Sequence, residues 1–145
     1  MNELQFKRAT ILVSDIDRSL SVYRDILGFT VNYIKDSADD SYSYPVFRIP
    51  KEAKIRFATL DSPTQERTIG LTEVTGIELP KPAHPIMFCQ VIRVPNLDET
   101  IRKIKKLGLE TTAVEMDSND KFEFKEQSFV DHDGHLVVLY ELLEK

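Results

Sequence analysis

Apolar and polar positions alternate along this chain with two periods, and the same succession of periods occurs twice. From Lys7 to Val31 the sequence reads KRATILVSDIDRSLSVYRDILGFTV. Ala9, Ile11 and Val13 alternate with Arg8, Thr10 and Leu12, the period-two pattern of a strand, with Leu12 making both faces fairly apolar. Asp15 follows as a helix cap, able to accept from the free N–H groups of a first turn. Ile16, Leu20, Tyr23 and Leu27 then fall on one helical stripe, with Asp17, Arg18, Ser21, Arg24 and Asp25 on the wet side. Gly28 supplies the left-handed residue that ends such a helix.

Further along, Phe29 to Lys35 reads as a second strand, and Asp36 to Ser43 (DSADDSYS) as a polar loop. Tyr44 to Ile49 and Lys54 to Leu60 look like strands around a Pro50-Lys51-Glu52 turn, and Thr68 to Val74 like another. Prolines at 80, 82 and 85 prevent continuous pairing, so 77–85 reads as a linker between modules 1–76 and 86–145. The first pattern then returns: Ile86 to Val94 as a strand, Asn96 as a cap, Leu97, Ile101, Ile104 and Leu107 as a stripe, and Gly108. Val13 and Val94 are 81 residues apart, as are Asp15 and Asn96, and Gly28 and Gly108 are 80 apart. Leu109 to Met116, Phe122 to Asp131 and His135 to Leu142 supply the remaining strands, so each half reads β-α-β-β-β.

Composition narrows the class. The 145 residues are 41% hydrophobic and 30% charged, which suits one globular domain able to bury roughly 70% of its unfolded surface. A net charge of -5 with no basic stripe argues against nucleic acid; Arg102, Lys103, Lys105 and Lys106 read as the solvated face of a helix. The single cysteine, with no membrane-length apolar run and no signal-peptide pattern, places the expected compartment in the cytoplasm.

The stretch VSDIDRSLSVYRDILGF, the duplication, and DHDGHLVVLYE near the end together resemble the vicinal oxygen chelate superfamily, which includes glyoxalase I, extradiol dioxygenases, methylmalonyl-CoA epimerase and bleomycin-resistance proteins. The resemblance covers nearly the whole chain. It implies an α+β fold: two βαβββ modules in tandem, forming a curved mixed sheet around a cleft.

Enzymes of that superfamily typically hold one divalent metal in the cleft, with ligands from the first and last strands of each module. On this chain the resemblance sets those positions at Arg8, Cys89 and Val138, with Glu73 or Gly70 as the fourth. A guanidinium has no lone pair to donate and valine nothing to coordinate, so Cys89 and Glu73 would be two candidate ligands where catalytic zinc usually has three. His132 and His135 flank a tight Asp133-Gly134 turn and read as turn residues; His84 sits among prolines without an evident partner. Cys89 near Arg8 would have a lowered thiol pKa, although a lone strand cysteine is more often a small buried hydrophobe.

The expected function is therefore metal-independent binding or sequestration of a small, anionic or aromatic molecule, with no cofactor. Its site draws on Arg8, Thr10, Phe57, Glu73, Cys89, Val138 and Tyr140, and Arg8 is the anchor. In the plainer reading Arg8 reaches solvent or pairs with an acid such as Glu73. The alternative is a metal-dependent lyase, isomerase or dioxygenase of the same superfamily with relocated ligands, drawn from Glu73, Glu126 or Glu141 and a histidine. Exposed sheet edges in such modules, and the family's habit, lead us to expect a homodimer.

Overall fold

The computed structural model describes residues 2–144 and resolves the chain into two four-stranded mixed sheets with identical strand order. In the first, β1 (Ala9–Val13) runs parallel to β4 (Gln65–Thr75), which pairs antiparallel with β3 (Lys54–Ser62), and β3 with β2 (Thr30–Asp36). In the second, β5 (Cys89–Arg93), β8 (Leu136–Glu144), β7 (Phe122–Val130) and β6 (Glu115–Ser118) repeat the order β1-β4-β3-β2, again with only the first pair parallel. The duplication in the sequence is thus a duplication of topology. One compact unit extends to Leu20 and resumes over Gly28–Pro80; the other comprises Ser21–Leu27 and the chain from Lys81 onward. No helix among the described residues is long and apolar enough to cross a membrane.

Both expected helix starts are present. Helix α1 (Ile16–Tyr23) follows Asp15, whose carboxylate accepts from Arg18 N at 3.2 Å, and it ends before Gly28, which has φ +94°. A short helix α2 (Ser43–Phe47) comes next in the chain, and the second unit's helix, α3, spans Leu97–Lys106. It is capped by Asn96, which accepts from Glu99 N, and Gly108 follows with φ +78°. Ile16, Leu20 and Tyr23 are buried on α1, and Leu97, Ile101 and Ile104 on α3, the stripes that periodicity assigns.

Two expected strands differ. Tyr44–Ile49 is not a strand: helix α2 (Ser43–Phe47) occupies the region and ends at Arg48, left-handed at φ 57°. Pro45 sits in the first turn, where its missing N–H costs nothing. Tyr44 then packs with Ile49, Ala53, Ile55 and Val74, and its hydroxyl donates to Ala53 O at 2.8 Å. Burial in this cluster outweighed the β propensity of Tyr, Val and Phe. The Leu109–Met116 segment is reduced to one bridge, Thr111 with Phe129, before β6 starts at Glu115.

Candidate functional site

In the first unit, Ile11, Val13, Ile69 and Leu71 are buried on the side of the sheet that meets α1. Thr10 alternates away from them. The ladders align Thr10, Gly70, Thr59 and Tyr33 in one row across the sheet, and Leu12, Thr72, Phe57 and Lys35 in the next. The Phe57 and Tyr33 rings meet edge to face on this Thr10 face, with centroids 6.1 Å apart. Arg8 lies one residue before β1, half-buried, and by alternation shares the face. Its lower end, around Leu12, Ile55 and Val74, is filled by the Tyr44 cluster.

Glu73 does not belong to this face, which corrects its place among the expected binding residues. Its carboxylate accepts from Ile16 N at 2.8 Å, on the first turn of α1, and pairs with Arg56 at 3.0 and 3.1 Å. Glu141 does the same in the second unit, accepting from Leu97 N at 2.8 Å at the start of α3. The two glutamates are repeat equivalents, each satisfying a backbone N–H that a helix start leaves orphaned. Three residues before each lie Gly70 and Val138, so Gly70 holds the position that the sequence left open between itself and Glu73. The Arg8–Glu73 pair is likewise not formed; among the described residues Arg8 makes no ion pair.

In the second unit, Val138 pairs with Val91 and Ser128, and Tyr140 with Arg93 and Glu126. Alternation places both residues opposite buried Val137 and Leu139, hence away from α3. Cys89 opens β5 beside Leu136, half-buried, its thiol free. The expected site residues therefore form two groups: Arg8, Thr10 and Phe57 in the first unit, and Cys89, Val138 and Tyr140 in the second.

The residues at the expected ligand positions do not fit a divalent metal. Arg8 repels a cation, Val138 and Gly70 offer no donor, and Cys89 alone is a ligand type. Gly70 shows more than a missing donor: a Cβ there would lie 2.7 Å from Thr10 Oγ1 and 3.1 Å from the Phe57 ring, so neighbours already fill the space a ligand side chain would need. Among the described residues no group of three or more His, Cys, Asp or Glu side chains is disposed to hold a metal ion.

The DHDGH turn is built around a carboxylate. Asp131, 6% exposed, accepts from Tyr23 Oη at 2.7 Å and from the backbone N–H groups of Asp133 and His135, both at 2.9 Å. Burial, then the Asp131 charge, holds the Tyr23 phenol well above its ordinary pKa. Gly134 has φ +91°, and a Cβ there would lie 2.6 Å from Pro82. Sequence reading missed three residues on the Thr10 face. Tyr33, Lys35 and Arg67 cluster there, with Lys35 Nζ and Arg67 Cζ at 5.4 and 5.8 Å from the Tyr33 centroid. Alternation along β2 was the available signal for Tyr33 and Lys35; nothing in the sequence marks Arg67.

The family model of the glyoxalase/bleomycin resistance protein/dioxygenase superfamily matches residues 5–139. No curated protein sequence matches the chain. Solved structures with this fold include a glyoxalase family protein of Bacillus cereus, 17% identical over 99% of this chain and 97% of that one, TM-score 0.75. Another is the fosfomycin resistance protein of Listeria monocytogenes, solved with Mn(II) and sulfate, at 20% identity over 97% of this chain and 93% of that one, TM-score 0.58. The trypanothione-dependent glyoxalase I of Leishmania major is 20% identical over 96% and 87% of the two chains, TM-score 0.60.

Proposed function

The chain belongs to the glyoxalase/bleomycin resistance protein/dioxygenase superfamily, and from that premise we propose that it binds or sequesters a small organic anion or aromatic molecule without a metal. The observation that carries this reading is Gly70 packed under Thr10 and Phe57, at a position where enzymes of the superfamily place a donor, with Arg8 two residues before Thr10 at another. A surface built this way offers a cation, a hydroxyl and aromatic edges, which suit a carboxylate or phosphate on a flat body. The relocated-ligand alternative loses its main candidates, since Glu73 and Glu141 are both engaged at helix starts.

The test is a thermal-shift screen of carboxylates and phosphates with chelator present, on wild type and Arg8→Ala. Stabilising ligands are expected to act in chelator, and Arg8→Ala to lose about 1.5–3 kcal/mol of their binding, the range for a charge-assisted hydrogen bond. Equal shifts in both proteins would remove Arg8 as the anchor.

A further inference from the structure

Arg67 breaks the rule its strand follows. Ile69, Leu71 and Glu73, the odd-numbered residues of β4, lie on the α1 side, and regular alternation would send Arg67 there too. It has φ 53° instead, a left-handed conformation disfavoured for a residue with a Cβ, and its guanidinium stands 5.8 Å from Tyr33 on the opposite face. The distortion is held in place: Arg67 N donates to Asp61 Oδ1 at 2.8 Å, and Asn32 Nδ2 fixes both Asp61 oxygens at 3.1 Å. Register shifts in β2, between Val31 and Tyr33, and in β3, between Leu60 and Ser62, fall around the same point. Such bulges re-aim side chains. A bulge alone would be met more cheaply by glycine or asparagine; here a long cation occupies it.

The cations on this face are not spent in side-chain ion pairs: the Asp61 carboxylate is taken up by Arg67 N and Asn32 Nδ2 and makes no ion pair with the Arg67 guanidinium. Arg8, Lys35 and Arg67 form no ion pair among the described residues, whereas Arg56 on the other face pairs with Glu73. In the row shared with Tyr33, fully buried Thr59 has an unpartnered hydroxyl, as has Thr72 one row below. Positive charge outside ion pairs and two aromatic rings, with hydroxyls buried beneath them, in one region of an acidic chain describe a binding surface for a flat anion.

We propose that Arg67, Lys35 and Tyr33 form the recognition subsite for an aromatic carboxylate, its ring against Tyr33 and Phe57 and its charge facing Arg67 and Lys35. This rests on the binding function proposed above and deepens it by naming the ligand class and a second anchor besides Arg8. A planar guanidinium matches a carboxylate through two parallel hydrogen bonds, and the aromatic edges favour a ring over a compact ion.

The experiment is calorimetric titration of the full chain with benzoate and phthalate, with benzamide as the neutral control and inorganic phosphate as the compact anion. Wild type is expected to bind an aryl carboxylate and to discriminate against benzamide and phosphate. Arg67→Gly should weaken that binding by about tenfold or more. It should leave the melting temperature of the unliganded protein equal or higher, because glycine accepts the left-handed backbone. Lys35→Gln, away from the strained position, should weaken binding as well, and Arg67→Lys should recover part of the loss. Benzamide or phosphate binding as tightly as benzoate, or undiminished affinity in Arg67→Gly, would overturn the subsite. So would the absence of aryl carboxylate binding at millimolar concentration, while the broader binding function would stand if other anions bind through Arg8. Stoichiometric metal would strike at that broader function instead.

Discussion

Position 73 shows how one carboxylate serves two sequence interpretations until its direction is known. On the Thr10 face Glu73 would be a metal ligand or a partner for Arg8; on the α1 side it closes the start of a helix. The strand IGLTEV is apolar on both faces, so its alternation carries no sign, and only the Ile16 N–H at 2.8 Å decides. Arg56 is over a third exposed, so its pairing with Glu73 adds little. The helix contact matters more, and Glu73→Ala is expected to lower stability by about 1–2 kcal/mol in urea unfolding, with anion binding unchanged. Glu73→Gln, which can still accept from Ile16 N, should lose less. A Glu73→Ala protein of full stability that had lost ligand binding would return the residue to the site. Arg8 and Arg67 differ in legibility for a related reason: the first stands on a regular alternation, the second acquires its direction from a backbone angle that no residue type announces.

At the scale of elements, the repeat was legible because caps and stripes are local signals. Asp15 and Asn96 start helices, and their stripes are buried as spaced. Helix α2 was not legible, since five residues with strand-like composition took their conformation from the Tyr44 cluster. The strength of the DHDGH signature lay in its turn, and the structure gives that turn a physical centre at Asp131. Removing the Tyr23 hydroxyl should expose its worth: Tyr23→Phe is expected to cost about 1.5–3 kcal/mol, the range for a hydrogen bond to a charged group. The pH dependence has a definite sign. The folded pKa of Tyr23 lies above the ordinary value of 10.0, so its contribution is fully present below about pH 10 and is lost as pH rises through the folded value. Wild type and Tyr23→Phe should therefore converge in stability in strong alkali; a gap that stayed constant there would contradict the assignment.

For the whole molecule, two sheets of the same strand order each leave edge strands. Among the described residues β1 and β5 have one partner strand apiece, and Val91 on β5 is 62% exposed. Such edges favour pairing with a second chain, and a homodimer of about 33 kDa, twice the 16.7 kDa chain, is expected in sedimentation. A monomer at all accessible concentrations would remove the dimer without touching the site. Under the proposed function the chain binds its ligand without a metal, with Arg8, Gly70, Cys89 and Val138 at the positions where resemblance to the superfamily implies ligands. The most direct measurement is elemental analysis of protein purified without chelator. Well under one equivalent of Zn, Ni, Mn or Fe per chain is the predicted result, and near-stoichiometric metal that is lost on changing Cys89 or Glu126 would contradict it.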